Sequence, residues 1–266
     1  MSFPYDLRLP GLTVPIHLVC EILAYTVGFR LYLRARRRQP GGMTVEQAVW
    51  TLVGCLAGAA LGSKLVAWLE VFPLYWQHRA NPLIWLQGKS IVGGLLGGWL
   101  GVEVAKRFAG VSQATGDAYV FPLIVGIAIG RIGCFLTGLS DGTCGIATSL
   151  PWGVDFGDGL RRHPTQLYEI LYLTGLGWLL WTWKLPGAPD GARFRQFLIG
   201  YFAFRFAIEF IKPRPFPYLI GLTAIQFVAL LGLVAAAISL WRQWRPTLPH
   251  APATAHSTAK GSPAHG

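Results

Sequence analysis

Five ionisable residues interrupt the apolar runs of this chain: Glu21, Lys64, Arg131, Arg205 and Glu209. At the centre of a membrane helix a charge costs about 2.5–3.5 kcal/mol even on a mild insertion scale, so each needs a physical reason. Arginine's planar fork of donors suits a phosphate, and Lys64 adds a third cation to Arg131 and Arg205. A carboxylate shielded from water is a stronger base than one in solution, which makes Glu21 the first candidate to take a proton. His17 and His163 follow as acid/base candidates. His17, Glu21 and Tyr25 are spaced i, i+4, i+8, as are Tyr201, Arg205 and Glu209, so each trio lines one stripe of a helix. Polar stripes of this kind face the interior of a helix bundle.

These residues must be positioned by helices in lipid. Hydrophobic residues make up 53% of the 266 and charged residues 13%, with a mean hydropathy of +0.44. That is too few charges to coat a soluble globule. The pattern predicts an all-α membrane protein of about seven spans, near 13–33, 47–72, 90–106, 118–138, 165–183, 196–212 and 219–243. Residues 1–245 form the expected transmembrane domain and 246–266, rich in Pro, Ala, Ser and His, an expected disordered tail. Basic residues concentrate after spans one, three, five and seven, as in Arg34 to Arg38. That bias predicts an outward N-terminus and a cytoplasmic C-terminus. Glu21, Lys64, Arg131 and Arg205 then lie at one depth, about 10–12 Å below the outer surface, which predicts one shared cationic cavity open to an anionic lipid headgroup. The alternative is a set of buried ion pairs that fix helix registry.

The net charge of +11 sits at helix ends rather than in a stripe, which excludes a nucleic-acid partner. Cys20, Cys55, Cys134 and Cys144 form no CxxC pair and predict neither a disulfide framework nor a metal site. There is no G-x-S-x-G elbow, HExxH or phosphate-binding glycine loop, so no cofactor is expected. The N-terminus has no basic leader region, so the first span is expected to target the chain. Gly93, Gly97 and Gly101 repeat every four residues, as do the pairs Gly94/Gly98 and Gly126/Gly130, and close helix packing is the expected use of these rows. The 139–164 loop contains Asp141, Asp155, Asp158, Arg162 and His163, most of them expected to shape the loop.

The stretches GSKL (62–65), GKSIVGGLLGG (88–98), GDAYVFPL (116–123), GRIGCF (130–135), RHPTQLYE (162–169) and YFAFRFAIEF (201–210) give the chain a resemblance to the phosphatidylglycerol–prolipoprotein diacylglyceryl transferases of the bacterial inner membrane. The resemblance runs over most of 13–243. It implies a seven-helix bundle that moves a diacylglyceryl group from phosphatidylglycerol to a lipobox cysteine thiol, with no metal or cofactor. It also places the family's two important arginines on Arg131 and Arg205, and its tyrosine one turn earlier on Tyr201.

The chain departs from the family pattern at several positions. A histidine expected on the third span is Val92, an asparagine is Cys134 and an acidic residue is Leu139, with Asp141 two positions on. The first span carries His17 and Glu21 where other residues are usual. The sequence therefore leaves two alternatives beside the transferase: the same lipid donor with a different acceptor, or a phospholipid-binding membrane protein without catalysis.

Overall fold

The computed structural model describes residues 3–9, 12–37, 43–183, 187–214 and 216–244. The expected tail at 246–266 lies outside the described residues, as do Arg38, Lys184 and Arg245 of the charge count.

The chain opens with an antiparallel hairpin, β1 (Asp6–Leu9) on β2 (Leu12–Pro15), in register from Asp6 opposite Pro15 to Leu9 opposite Leu12. Helices follow: α1 (Ile16–Arg37), α2 (Val45–Glu70), the short α3 (Phe72–Gln77) and α4 (Pro82–Trp85), α5 (Ile91–Phe108), α6 (Val120–Thr137), α7 (Thr165–Thr182), α8 (Ala192–Ile208) and α9 (Ala224–Trp244). Between α6 and α7, β3 (Val154–Asp155) pairs antiparallel with β4 (Arg161–Arg162).

Among the described residues, seven helices have 17 residues or more, and each overlaps one of the expected spans. Among the described residues, four segments are long and apolar enough by themselves to cross a membrane: Ile16–Arg37, Val45–Glu70, Gly116–Asp141 and Ala224–Trp244. The structure shifts several boundaries. The expected first span begins at 13, but residues 12–15 are spent on the hairpin. The second stops at Glu70, and the chain turns into α3 at Phe72. The seventh starts at Ala224, because Ile220 and Gly221 adopt positive φ values of 53° and 74° that no helix continues. Thr223 and Gln226 then close a reciprocal capping box at its N-terminus.

Packing is pairwise: α1 lies along α6, α2 along α5, and α8 along α9. The hydrophobic core surrounds α8, whose Phe197, Leu198, Tyr201 and Phe202 are fully buried against Val120 and Ile124 of α6, Leu173 of α7 and Ala229 of α9. Asp117 fixes the start of α8 by accepting from the backbone N–H of Gly191 at 3.0 Å and Phe194 at 2.9 Å. Glu70, at the end of α2, accepts from Ile225 N–H in the first turn of α9 at 3.0 Å. On the outside, large apolar side chains are exposed along several helices, among them Ile22, Leu56, Leu61, Leu171, Trp178 and Leu231. Such a surface is unfavourable in water and suits a lipid environment.

The first glycine row has the expected use. A Cβ on Gly93, Gly97 or Gly101 would lie 2.1–2.2 Å from the carbonyl oxygen of Gly62, Gly58 or Gly54, so α2 and α5 meet backbone to backbone. The other rows are corrected. A Cβ on Gly94, Gly98 or Gly126 would make ordinary contacts of 3.4 Å or more, and Gly130 has nothing within 4 Å. Gly94 and Gly98 still face α2, across the small residues Cys55, Ala59 and Ser63, and Gly126 faces Ala24 of α1, so these rows pack at ordinary distance rather than backbone to backbone.

Candidate functional site

Arg131 projects from the last turns of α6, Arg205 and Tyr201 from α8, and all three meet one carboxylate of α7. Glu169 Oε2 pairs with Arg131 Nε at 2.9 Å and accepts from Arg205 Nη1 at 3.1 Å. Its Oε1 accepts the Tyr201 hydroxyl at 2.6 Å. Arg205 Nη2 donates to Glu209 one turn on, also at 3.1 Å. None of the five residues is more than 5% exposed. The helix stripe Tyr201–Arg205–Glu209 therefore does face the interior, and α7 supplies the group that joins it to Arg131.

This corrects the expected electrostatics. The two arginines face two carboxylates, and the buried Lys212 and half-buried Glu70 add one charge of each sign beside them, so the cluster is a balanced charge network rather than a cationic excess. In a low-dielectric interior such balance is what makes buried charge tolerable. Each arginine still has donors to spare: Arg205 Nε is buried without a hydrogen-bond partner, and Arg131 Nη1 meets only the Cys134 sulfur, at 3.7 Å.

The other candidates sit elsewhere. The Lys64 ammonium donates to the carbonyls of Leu86, Gln87 and Gly88, the last at 2.9 Å. Glu21 pairs with Lys89 at 2.5 Å and accepts the Tyr25 hydroxyl at 3.3 Å. The bond to Glu21 raises the Lys89 ammonium above its ordinary range. The segment 86–89 thus gathers Lys64 and Glu21, and the shared cavity expected from equal depth divides into two clusters. Equal depth does not bring side chains to one wall: α2 packs on α5, and on α1 it is His17 and Cys20 that face α6 rather than Glu21. Tyr25 is 68% exposed.

His17 Nδ1 lies 3.5 Å from Asp141 Oδ1, at the foot of α1. His163 Nδ1 faces the Tyr168 hydroxyl at 3.2 Å, which also accepts from Trp152 Nε1 at 2.8 Å. The backbone of His163 is tied to Gly145 and Ile146, closing the loop against α7. Asp155 and Asp158 shape this loop: Asp155 Oδ1 accepts from Gly157 and Gly159, and Asp158 pairs with Arg162 at 2.6 Å. That arginine holds the exposed Asp158 carboxyl below its ordinary value. A groove of about 1200 Å³ runs along α2 and α5 to Val228 and Leu231 of α9 and includes none of the ion-pair residues.

Sequence reasoning missed Glu169 and Lys89. Glu169 was legible by the rule that exposed Arg131, since it is an ionisable residue within the expected span 165–183. Lys89 stands one residue before an expected span, where a cation is unremarkable.

The ion-pair residues fall within a match to known proteins. The family profile described as prolipoprotein diacylglyceryl transferase matches residues 4–242. The chain belongs to that family. Relatives named phosphatidylglycerol–prolipoprotein diacylglyceryl transferase include one from Bordetella parapertussis, 36% identical over 238 residues and covering 84% of this chain and 83% of its own. One from Nitrosomonas europaea is 36% identical over 234 residues, with 82% of each chain covered. One from Aromatoleum aromaticum is 32% identical over 260 residues, covering 93% and 94%. For a prolipoprotein diacylglyceryl transferase, the buried junction of α6, α7 and α8 is where two arginines and two glutamates are held together inside the bundle.

Proposed function

We propose that this protein transfers the diacylglyceryl group of phosphatidylglycerol to the cysteine thiol of a prolipoprotein, in the maturation of bacterial lipoproteins. The observation that carries the reading is Glu169 holding Arg131 and Arg205 together inside a chain that matches the family over 4–242. One carboxylate fixes two guanidinium forks, and their remaining donors are set to receive a phosphate.

In the reaction, the acceptor sulfur attacks the glyceryl carbon that carries the phosphate ester. The S–C bond forms, the C–O bond breaks, and glycerol phosphate leaves with the electron pair. Arg131 and Arg205 stabilise the charge developing on that phosphate. Tyr201 shares Glu169 with them and holds its orientation. The thiol proton passes to a base, because the thiolate is the nucleophile. Glu21 leads as that base, with His17 and His163 next, while Lys64 and Tyr25 line the donor's approach.

The same reading sets the protein in the bacterial inner membrane as seven spans, with the N-terminus outside and the C-terminus in the cytoplasm. Residues 1–245 form the transferase domain and 246–266 a tail outside the reaction. Phosphatidylglycerol and a lipobox-bearing prolipoprotein are the substrates, and nucleic acid is not a partner. Purified protein given phosphatidylglycerol and a lipobox peptide should form the thioether, and Arg131→Ala should not. Absence of thioether from both proteins, under conditions where a relative forms it, would defeat the reading.

A further inference from the structure

Three residues treated separately in the sequence converge at the outer end of the α1–α6 pair. His17 stands in the first turn of α1, Cys134 in the last turn of α6, and Asp141 at the end of the turn that follows α6. A ring nitrogen of His17, Cys134 Sγ and a carboxylate oxygen of Asp141 all lie within 4.8 Å of one another. We propose that these three side chains form a binding site for a borderline-soft divalent transition-metal ion, of which zinc is the type.

The donor set fits that ion. An imidazole nitrogen, a thiolate and a carboxylate are the three ligand types zinc accepts, at about 2.0–2.3 Å each. Tetrahedral geometry at those bond lengths puts ligand atoms about 3.3–3.8 Å apart, so modest side-chain rotations close this trio on an ion. His17 Nδ1 and Asp141 Oδ1 are already 3.5 Å apart. A thiolate and a carboxylate also neutralise a divalent ion, which suits a site at the end of an apolar bundle.

A second observation points to a ligand. His17 Nδ1 is itself covered, within a side chain that is 37% exposed, and it has no hydrogen-bond partner although Asp141 Oδ1 is 3.5 Å away. A buried ring nitrogen left in that state is unfavourable unless something coordinates it. Asp141 is already steered for the purpose: the Thr143 hydroxyl donates to Oδ2 and leaves Oδ1 turned toward His17. Support of a ligating carboxylate by such a neighbour is a regular feature of metal sites. Cys134 is 9% exposed, and its sulfur meets Arg131 Nη1 at 3.7 Å, so an ion held here would sit next to the ion-pair chain. Three protein ligands leave one position for an added donor.

The test uses the full chain, purified without an affinity tag and with His250, His256 and His265 of the tail replaced by alanine so that they do not bind metal. After loading with Zn²⁺ and dialysis, metal content is measured by mass spectrometry. Loading with Co²⁺ instead gives a thiolate-to-cobalt charge-transfer band in the near ultraviolet. The proposal expects about one metal ion per chain and the cobalt band. Cys134→Ser should remove the band and His17→Ala or Asp141→Asn most of the metal, whereas Cys144→Ser should change neither. Wild-type protein that retains no zinc, or a cobalt band that survives Cys134→Ser, would overturn it. Equal retention by wild type and all three ligand variants would also overturn it, as adventitious binding. The wild-type readings stand even if one variant fails to fold.

Discussion

The α2–α5 seam and the α6–α7–α8 junction solve opposite problems inside one bundle. At the seam, Gly54, Gly58 and Gly62 face Gly101, Gly97 and Gly93, and the interface is made by removing side chains. At the junction, Arg131, Glu169, Arg205, Tyr201 and Glu209 fill the interior with polar groups that must satisfy one another. The seam depends on shape and carries no chemistry. The junction depends on charge balance, and a buried ion-pair chain is weak evidence for stability in itself, since apolar replacements of similar volume often serve as well. The contrast teaches where to look for function: the region that holds charge at a cost is the one with something to bind.

Substitutions should separate the two regions. The largest effect belongs to the seam: Gly58→Leu or Gly97→Leu puts a side chain 2.2 Å from a facing carbonyl oxygen and should abolish folded protein in the membrane, read as loss of monodisperse protein after extraction. Next is Glu169→Gln, which leaves two buried arginines short of a counter-charge. It should destabilise by about 3–5 kcal/mol and lower the melting temperature. If Glu169→Gln melts like wild type, the junction is not the balanced chain described above. Gly130→Ala, with open space at its Cβ, should fold normally, with stability within about 0.5 kcal/mol of wild type.

The smallest effect lies in the 139–164 loop. The Asp158 carboxyl is held below its ordinary value by Arg162, so the pair's contribution is fully present above that ordinary value. It is lost only as pH falls through the lower folded value. Because Asp158 is exposed, Asp158→Asn should leave the melting temperature at neutral pH nearly unchanged. A large drop there would move the loop into the structural core of the account.

Much of this was legible in the sequence, and the reasons are specific. The long helices follow from apolar length, and Arg131 and Arg205 from the cost of charge in such runs. The α5 half of the seam follows from its four-residue glycine spacing. The same spacing in Gly54, Gly58 and Gly62 passed unused until the fold placed it opposite. Depth counting put Glu21 and Lys64 level with the arginines but could not say which helices share a wall, and both belong to the 86–89 segment instead. The meeting of His17, Cys134 and Asp141 was beyond any spacing rule, because it depends on how α1 docks on α6. The hairpin at 6–15 escaped because a strand signal beside a long apolar run reads as the start of the helix.

The central claim is that Arg131 and Arg205, fixed by Glu169, hold the phosphate of the donor lipid through their planar forks. Retention of phosphatidylglycerol by purified protein, measured by native mass spectrometry for wild type, Arg131→Lys and Arg205→Lys, tests it most directly. Lysine keeps the charge and loses the fork, so each variant should retain the lipid about tenfold more weakly, a loss of roughly 1.4 kcal/mol. Undiminished retention by both lysine variants would contradict the claim and place the phosphate elsewhere.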